Sequence, residues 1–281
     1  MRIIIICATL SCFSSPISFQ PCSALVIVVH GSFAPHATWH RPLGEFYDKL
    51  ELQAFFARHK LISFSWSGIP THTEITRSAR ALAKLITSYS PQEEIILIGH
   101  SHGGNVVNVA STFLSKPVYT PLDFSLLPPL FDFTMTTRSI MLWEEAPCEP
   151  QKKYLIERIY LLGTPVDCKK YMPCMDVIGY LYNFYSSGDL VQPVLGWFGR
   201  TYPLHERITN SEIIIKDHKS NKTKKPSHSD LHNLMVAQWI LSIPDELKKT
   251  KTGNFDLFVP GKNCIIAFQK DSHPLYQPFT T

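Results

Sequence analysis

Short, unbroken runs of apolar residues alternate along the chain with stretches in which apolar residues recur every three to four positions. The unbroken runs predict fully buried strands, and the spaced pattern predicts amphipathic helices. Strands are predicted at residues 25–29, 61–66, 95–98, 159–162, 177–185, 212–216 and 264–268. Helices are predicted at residues 43–59, 105–114 and 230–243, with one more that begins after the capping-box sequence Thr71 to Glu74.

This alternation predicts an α/β fold with a mostly parallel sheet and helices on both faces. The chain of 281 residues has no internal repeat that we recognise, and one domain explains it. We place that domain at residues 21–250 and treat residues 251–281 as a C-terminal extension of unclear role.

Residues 115–151 do not follow the alternation, because they are rich in proline, leucine and phenylalanine and show little periodicity. They lie between the third predicted helix and the fourth predicted strand, which places an insertion over the carboxyl edge of the sheet, where ligands bind in such folds. The segment is therefore interpreted as a lid with an apolar underside. The alternative is an insertion that packs on the surface and has no part in the site.

The composition, with 44% hydrophobic residues, 18% charged residues and a formal charge of +4, is that of a globular protein. The basic run at residues 216–225 has no interleaved aromatic residues, so we interpret it as a solvated loop and expect no nucleic-acid partner. None of the seven cysteines has the spacing of a zinc site, and we expect no metal and no cofactor. Cys168 and Cys174 are close enough for a small disulfide loop in an oxidising compartment.

The first 20 residues carry one positive charge followed by a short apolar core. That core is too short to span a bilayer but suits a secretory signal peptide or an N-terminal membrane-targeting segment. We therefore expect export, to the periplasm, the envelope or the medium, with peripheral membrane association open. The alternative is a cytoplasmic protein in which residues 3–6 form an edge strand.

The sequence Gly99-His100-Ser101-His102-Gly103 joins the third predicted strand to the helix that follows it. A serine on such a turn is exposed to substrate, and Gly99 and Gly103 leave room for strand and helix to approach each other. The following helix directs its first amides and its positive dipole end at the site. Ser101 is therefore the predicted nucleophile.

A nucleophilic serine needs a base and an acid that orients the base. Asp189 follows an aromatic strand on a Ser-Gly turn and is the predicted acid, ahead of Asp167 and Asp176. His228 lies in the loop before the last predicted helix and is the predicted base. The alternatives for the base are His232, one turn into that helix, and the more distant His218.

The third requirement is a pair of backbone amides that stabilise an oxyanion. The loop after the first strand is the expected donor, with the amide of Ser32 or Phe33 pairing with that of His102. His30 and Gly31 are expected to shape this loop.

In these motifs the chain resembles the α/β-hydrolase superfamily, in particular its lipase- and esterase-like members. The resemblance covers residues 25–243 and is carried, in the family's order, by "HG", "GHSHGG", "LLGTPV", "NFYSSGDLVQP" and "HSDLH". It implies hydrolysis of a carboxylic ester through an acyl-serine intermediate. The insertion departs from the pattern, so substrate shape cannot be carried over. The stretch between acid and base is also longer and more basic than the pattern, which leaves both His228 and His232 as candidates for the base.

The leading hypothesis is therefore a serine hydrolase with a small-molecule or lipid ester as substrate. Thioesterase, amidase and acyltransferase reactions use the same groups. A hydrolase fold that binds a lipid or a protein partner without catalysis, and a structural envelope protein, are the hypotheses of another class.

Overall fold

A computed structural model describes residues 24–89, 93–115, 155–191, 199–217, 222–242, 255–259 and 264–270. Within these ranges nine strands form one sheet: β1 (Ala24–Val29), β2 (Lys60–Phe64), β3 (Glu94–His100), β4 (Ile156–Leu162), β5 (Ile178–Tyr185), β6 (Ile208–Asp217), β7 (Thr223–Lys224), β8 (Phe255–Val259) and β9 (Cys264–Lys270). The α-helices of the described residues are α1 (Glu45–Phe56), α2 (His72–Thr87), α3 (His102–Leu114) and the short α4 (Leu234–Ala237).

The strand order is β2-β1-β3-β4-β5-β6-β9-β8, and β7 pairs with β6. The six strands from β2 to β6 in this order are all parallel, whereas β7, β8 and β9 pair antiparallel. The predicted fold class, a mostly parallel α/β sheet, is confirmed. The carboxyl ends of β1, β3, β4 and β5 therefore meet at one edge.

Both faces of the sheet are buried, which explains the continuous apolar strands. In β1, Leu25, Ile27 and Val29 belong to one core and Val26 and Val28 to the other. The first core contains apolar residues of α2 and α3, and the second contains those of α1 and α4. Helices thus cover the two faces as predicted.

The last predicted helix, residues 230–243, is broken in the structure. A 3-10 turn at Ser229–His232 ends at Asn233, whose backbone is extended, and α4 follows before a second 3-10 turn at Ile240–Ser242. The Asn233 side chain accepts a hydrogen bond from the Val236 amide at 3.3 Å, so it caps a new helix instead of continuing an old one. The predicted continuous helix is wrong for this reason.

The other boundaries differ by a few residues from the prediction. α1 begins two residues late because Leu43 has a left-handed backbone (φ 73°). At α2 the Thr71 hydroxyl accepts from the Glu74 amide as predicted, but the Glu74 carboxylate accepts from Ser67 and Arg77. The tail contributes β8 as well as the predicted strand, and β9 pairs along seven residues of β6.

The predicted lid lies almost entirely outside the described residues, as does the N-terminal segment 1–20. Among the helices that the structure describes, none has the length and apolar character needed to cross a bilayer. Cys168 and Cys174 are both free thiols, so the disulfide loop considered for an oxidising compartment is not formed here.

Candidate active site

Ser101 lies between β3 and α3 in a backbone conformation that L-residues avoid, with φ 53° and ψ −133°. The turn is held because the Ser101 amide donates to the Leu162 carbonyl at the end of β4, at 2.9 Å. Strained backbone of this kind persists only where the surroundings enforce it, and it gathers at functional sites. The predicted strand–serine–helix turn is thus formed at the carboxyl edge of the sheet.

The glycines on either side of Ser101 allow close contact between main chains. A Cβ atom on Gly99 would lie 2.6 Å from the Gly104 Cα atom, and one on Gly103 would lie 2.5 Å from the Val29 carbonyl oxygen. Any side chain here would separate α3 from β3 and β1. The spacing of the glycines therefore serves the approach of helix to sheet.

Asp189 lies in the turn after β5, where its side chain is fully buried. Its Oδ1 atom accepts from the Val191 amide at 2.8 Å, and its Oδ2 atom contacts His228 Nδ1 at 2.6 Å. Asp167, the weaker candidate, accepts instead from the amides of Lys169 and Lys170. The structure brings Asp189 to a histidine and leaves Asp167 in a local turn.

His228 directly precedes the 3-10 turn Ser229–His232, and its side chain is about 15% exposed. Because Nδ1 faces the Asp189 carboxylate, Nε2 is the nitrogen left for a reacting group. His232 stacks instead on Trp39, with ring centroids 4.4 Å apart. His218 lies outside the described residues.

His30 connects the loop after β1 to the loop after β2 through two hydrogen bonds from Trp66. The Trp66 amide donates to His30 Nε2 at 3.1 Å, and the Trp66 indole donates to the His30 carbonyl at 2.7 Å. His30 Nδ1 in turn donates to the Gly31 carbonyl at 2.7 Å. Burial lowers the pKa of His30, which keeps the imidazole neutral and able to accept at Nε2.

Gly31 places this loop directly against the serine, since a Cβ atom on Gly31 would lie 2.7 Å from the Ser101 Cβ atom. The Phe33 amide, however, donates to the Gly68 carbonyl at 3.0 Å and is engaged away from the serine. Of the two amides predicted to pair with His102, the geometry therefore favours Ser32 over Phe33. Phe33 itself has a left-handed backbone (φ 57°) and an exposed ring.

His102 is the first residue of α3, and the leading amides of a helix have no acceptor within the helix. Its side chain points elsewhere, with Nδ1 accepting from the Asn105 amide group at 3.1 Å. Burial, followed by the nearby His228, lowers the pKa of His102 to about 4. The imidazole is therefore neutral, and only the main chain of His102 is available to a developing anion.

Two residues that the sequence did not indicate also border the site. Gly163, at the end of β4, has φ 61°, and a Cβ atom there would lie 3.2 Å from both Asp189 Oδ2 and His228 Nδ1. His100 Nε2 lies 3.2 Å from the His228 carbonyl oxygen. One signal for His100 was present in the sequence, since this residue ends an otherwise apolar run. Its contact could not be predicted, because the His228 loop is far along the chain.

No three His, Cys, Asp or Glu side chains of the described ranges converge in a way that could hold a metal ion. The polar groups at this edge of the sheet include the Ser101 hydroxyl, the His228 imidazole, the Asp189 carboxylate and backbone amides. This set can move a proton and stabilise an oxyanion.

A parallel sheet with helices on both faces and reactive side chains at its carboxyl edge is the architecture of an α/β enzyme. The sequence pattern of the alpha/beta hydrolase family matches residues 26–181, more than half of the chain. The chain belongs to the alpha/beta hydrolase family, and this membership supports a hydrolase. A search of curated proteins found no match.

The solved structures that match this chain share little sequence with it. A protein from Xanthomonas campestris pv. campestris assigned to the alpha/beta hydrolase superfamily is 8% identical, with a TM-score of 0.42, over 81% of this chain and 99% of that one. A lipase-esterase related protein from Clostridium acetobutylicum is 17% identical, with a TM-score of 0.26, over 51% of this chain.

The catalytic core of an acetyl xylan esterase from Trichoderma reesei is 12% identical, with a TM-score of 0.26, over 52% of this chain. The match spans only 42% of the Clostridium protein and 65% of the Trichoderma domain. All three TM-scores lie below 0.5, and family membership rests on the family pattern.

Proposed function

We propose that the protein is a serine hydrolase that cleaves a carboxylic ester through an acyl-serine intermediate. The observation that carries this proposal is the 2.6 Å contact between the buried Asp189 carboxylate and His228 Nδ1. An acid in this position fixes the tautomer and orientation of the imidazole, which leaves Nε2 as the base. Ser101 has a strained backbone, and it directly follows His100, which contacts the His228 carbonyl oxygen. Both features support the assignment of Ser101 as the nucleophile and His228 as its base.

In the proposed reaction, His228 Nε2 takes the proton of the Ser101 hydroxyl as its oxygen attacks the ester carbonyl carbon. The negative charge on the carbonyl oxygen is stabilised by the amides of Ser32 and His102. The carbon–oxygen bond to the alcohol then breaks, and His228 returns the proton to the leaving alcohol. Water, activated by His228, attacks the acyl-serine and releases the carboxylic acid.

The test is covalent labelling with a fluorophosphonate probe. Wild-type protein is expected to be labelled and Ser101→Ala is not, because the probe reacts only with an activated serine. Folded wild-type protein that takes up no label would contradict the proposal and favour a catalytically silent binding protein.

The assignment of the base has its own comparison. His228→Ala is expected to lose nearly all turnover, whereas His232→Ala retains most of it, because His232 packs on Trp39 and does not reach Asp189 in the way that His228 does. Turnover of a p-nitrophenyl ester by purified variants measures this. The reverse ranking would assign the base to His232.

For the substrate, we propose an ester with an apolar acyl chain, of the lipase or lipid-esterase type. Two apolar side chains support this proposal: Phe33, 79% exposed on the β1 loop, and Leu190, 72% exposed beside Asp189. A panel of p-nitrophenyl esters of rising chain length tests it. A greater kcat/KM for the acetate than for every longer ester would contradict it. Hydrolysis of thioesters or amides, but not of esters, would identify the protein as a thioesterase or an amidase.

We also propose that the protein is exported by the segment at residues 1–20 and meets its substrate at or near a membrane. The short apolar run after Arg2 supports export. Fractionation of expressing cells, with N-terminal sequencing of the product, tests this. An intact N-terminus in the cytoplasmic fraction would contradict it.

A further inference from the structure

His100 is a buried imidazole adjacent in sequence to the nucleophile, and the proposed reaction gives it no role. Its Nε2 atom lies 3.2 Å from the main-chain carbonyl oxygen of His228. Since a carbonyl oxygen can only accept, His100 Nε2 carries the proton and donates. Burial, together with the neighbouring His232 and His228, holds the pKa of His100 well below its usual value, which keeps the ring in this neutral form.

His228 is thus held at two points. Asp189 contacts the ring through Nδ1, and His100 contacts the main chain of the same residue through its carbonyl oxygen. The hydrogen bond from Nδ1 to Asp189, taken alone, would let the ring move together with its loop. The second contact fixes the loop itself, and it comes from the residue that precedes Ser101.

The position of His100 is itself restricted by aromatic neighbours. Its ring centroid lies 4.7 Å from that of His228, 4.4 Å from that of His232 and 5.4 Å from that of Trp39. The last two contacts are edge-on, and Trp39 and His232 stack on each other at 17°. The imidazole therefore cannot turn away from the His228 carbonyl without displacing packed rings.

We propose that His100 is a positioning residue for the hydrolase reaction, which sets the placement of the base relative to Ser101 by holding the His228 main chain. This inference rests on the proposed function. The residue links the nucleophile turn to the base loop through one peptide bond and one hydrogen bond. A misplacement of about 1 Å can cost about 100-fold in rate, so a contact of this kind acts on kcat.

The test compares His100→Leu, which removes the donor, with His100→Gln, whose amide can donate from a similar position. We expect His100→Leu to lower kcat by about 10- to 100-fold on a p-nitrophenyl ester, with KM within about threefold. His100→Gln is expected to recover most of the loss. His40→Leu is the matched control, because His40 is also buried and contacts His30 and Trp39 rather than the His228 loop.

A spectroscopic readout separates positioning from general damage. The proton between His228 Nδ1 and Asp189 is expected far downfield in the proton NMR spectrum of wild type, and His100→Leu is expected to shift or broaden it while His40→Leu does not. If His100→Leu does not fold, His100→Asn replaces it, since its amide is too short to reach and should be slower than His100→Gln.

The outcomes distinguish the two proposals. Wild-type protein without turnover or probe labelling overturns the proposed function. An active wild type together with a folded His100→Leu variant of equal kcat overturns the positioning role and leaves the proposed function in place. Equal losses of kcat in His100→Leu and His100→Gln also overturn the positioning role, because the hydrogen bond to the His228 carbonyl would then have no effect on the rate.

Discussion

The two halves of the candidate site are built in different ways. The nucleophile half, Ser101 with Gly99 and Gly103, comes from one continuous stretch between β3 and α3, and its close contacts are between main-chain atoms. The acid–base half joins Asp189 to His228 from two loops 39 residues apart, and its contacts are between side chains. Main-chain contacts resist displacement more than side-chain contacts do. A substitution that crowds the glycine contacts of the first half should therefore lower stability, whereas one that disturbs the side-chain contacts of the second half should lower the rate.

The sharpest test of the acid–base half is Asp189→Asn. The substitution preserves volume but removes the charge that selects the His228 tautomer, and we expect kcat to fall by about 10³- to 10⁴-fold. Asp167→Asn is the matched control, as Asp167 is also buried but accepts from local amides, and it should retain most of the activity. Ester turnover measures both, and similar losses in the two variants would contradict the assignment of Asp189.

In the nucleophile half, Gly103→Ala should act mainly on stability. The new methyl group would overlap the carbonyl oxygens of Val29 and His30, which belong to β1 and the start of its loop and cannot yield as a side chain would. We expect the free energy of unfolding to fall by more than about 3 kcal/mol, or the variant not to fold.

Urea denaturation measures the effect of Gly103→Ala. Gly199→Ala is the control, because among the described residues the nearest atom to a Cβ there is 3.6 Å away. A Gly103→Ala protein as stable as the control would remove the distinction between the two halves.

Gly163→Ala is the counterpart in the acid–base half. Its methyl group would press on the ends of the Asp189, His228 and Leu231 side chains, which can shift, although the left-handed backbone adds about 1–2 kcal/mol of strain. We expect kcat to fall by about tenfold, with a loss of stability smaller than that of Gly103→Ala. Urea denaturation and ester turnover of the same variant measure the two effects. A Gly163→Ala protein that loses stability but keeps its kcat would contradict the distinction between the two halves of the site.

The smallest effect concerns pH. Burial lowers the pKa of His40 to about 3 and that of His102 to about 4, from ordinary values of 6.5. Between pH 6.5 and 4 the unfolded chain therefore binds protons that the folded chain does not, so stability falls as the pH falls. We expect each histidine to contribute a loss of about 0.7 kcal/mol at pH 6 relative to pH 7.

Denaturation of wild type and His40→Gln at a series of pH values measures this dependence. The variant should show a weaker decline, because it lacks one of the histidines that gain a proton on unfolding. An identical decline in both proteins would mean that His40 is not held neutral in the folded state.

The sequence predicted those parts of the molecule that depend on local pattern. The β1, β3 and β4 strands were evident from apolar runs, and the turn at Ser101 was evident from the glycines around it. Asp189 and His228 could be placed at strand ends, but only the fold shows that they meet. Family resemblance supplied the order in which to look for them.

The parts that were missed depend on distant partners. The Phe33 amide is taken by Gly68, a residue on another loop, and no local pattern around Phe33 indicates this. The last helix breaks at Asn233 because one side chain caps a new helix, and asparagine within an apolar periodic stretch does not by itself signal a break. His100 is adjacent to Ser101 in sequence, yet the residue whose carbonyl it contacts, His228, is 128 residues away.

The pairing of β9 with β6 affects how the chain can be shortened. A protein ending at residue 250 would lack β8 and β9 and would leave β6, a ten-residue strand, with most of that edge unpaired. A long uncovered edge is a template on which other chains can add strands. The C-terminal segment should therefore be kept in any expressed form, because its strand β9 covers this edge of β6.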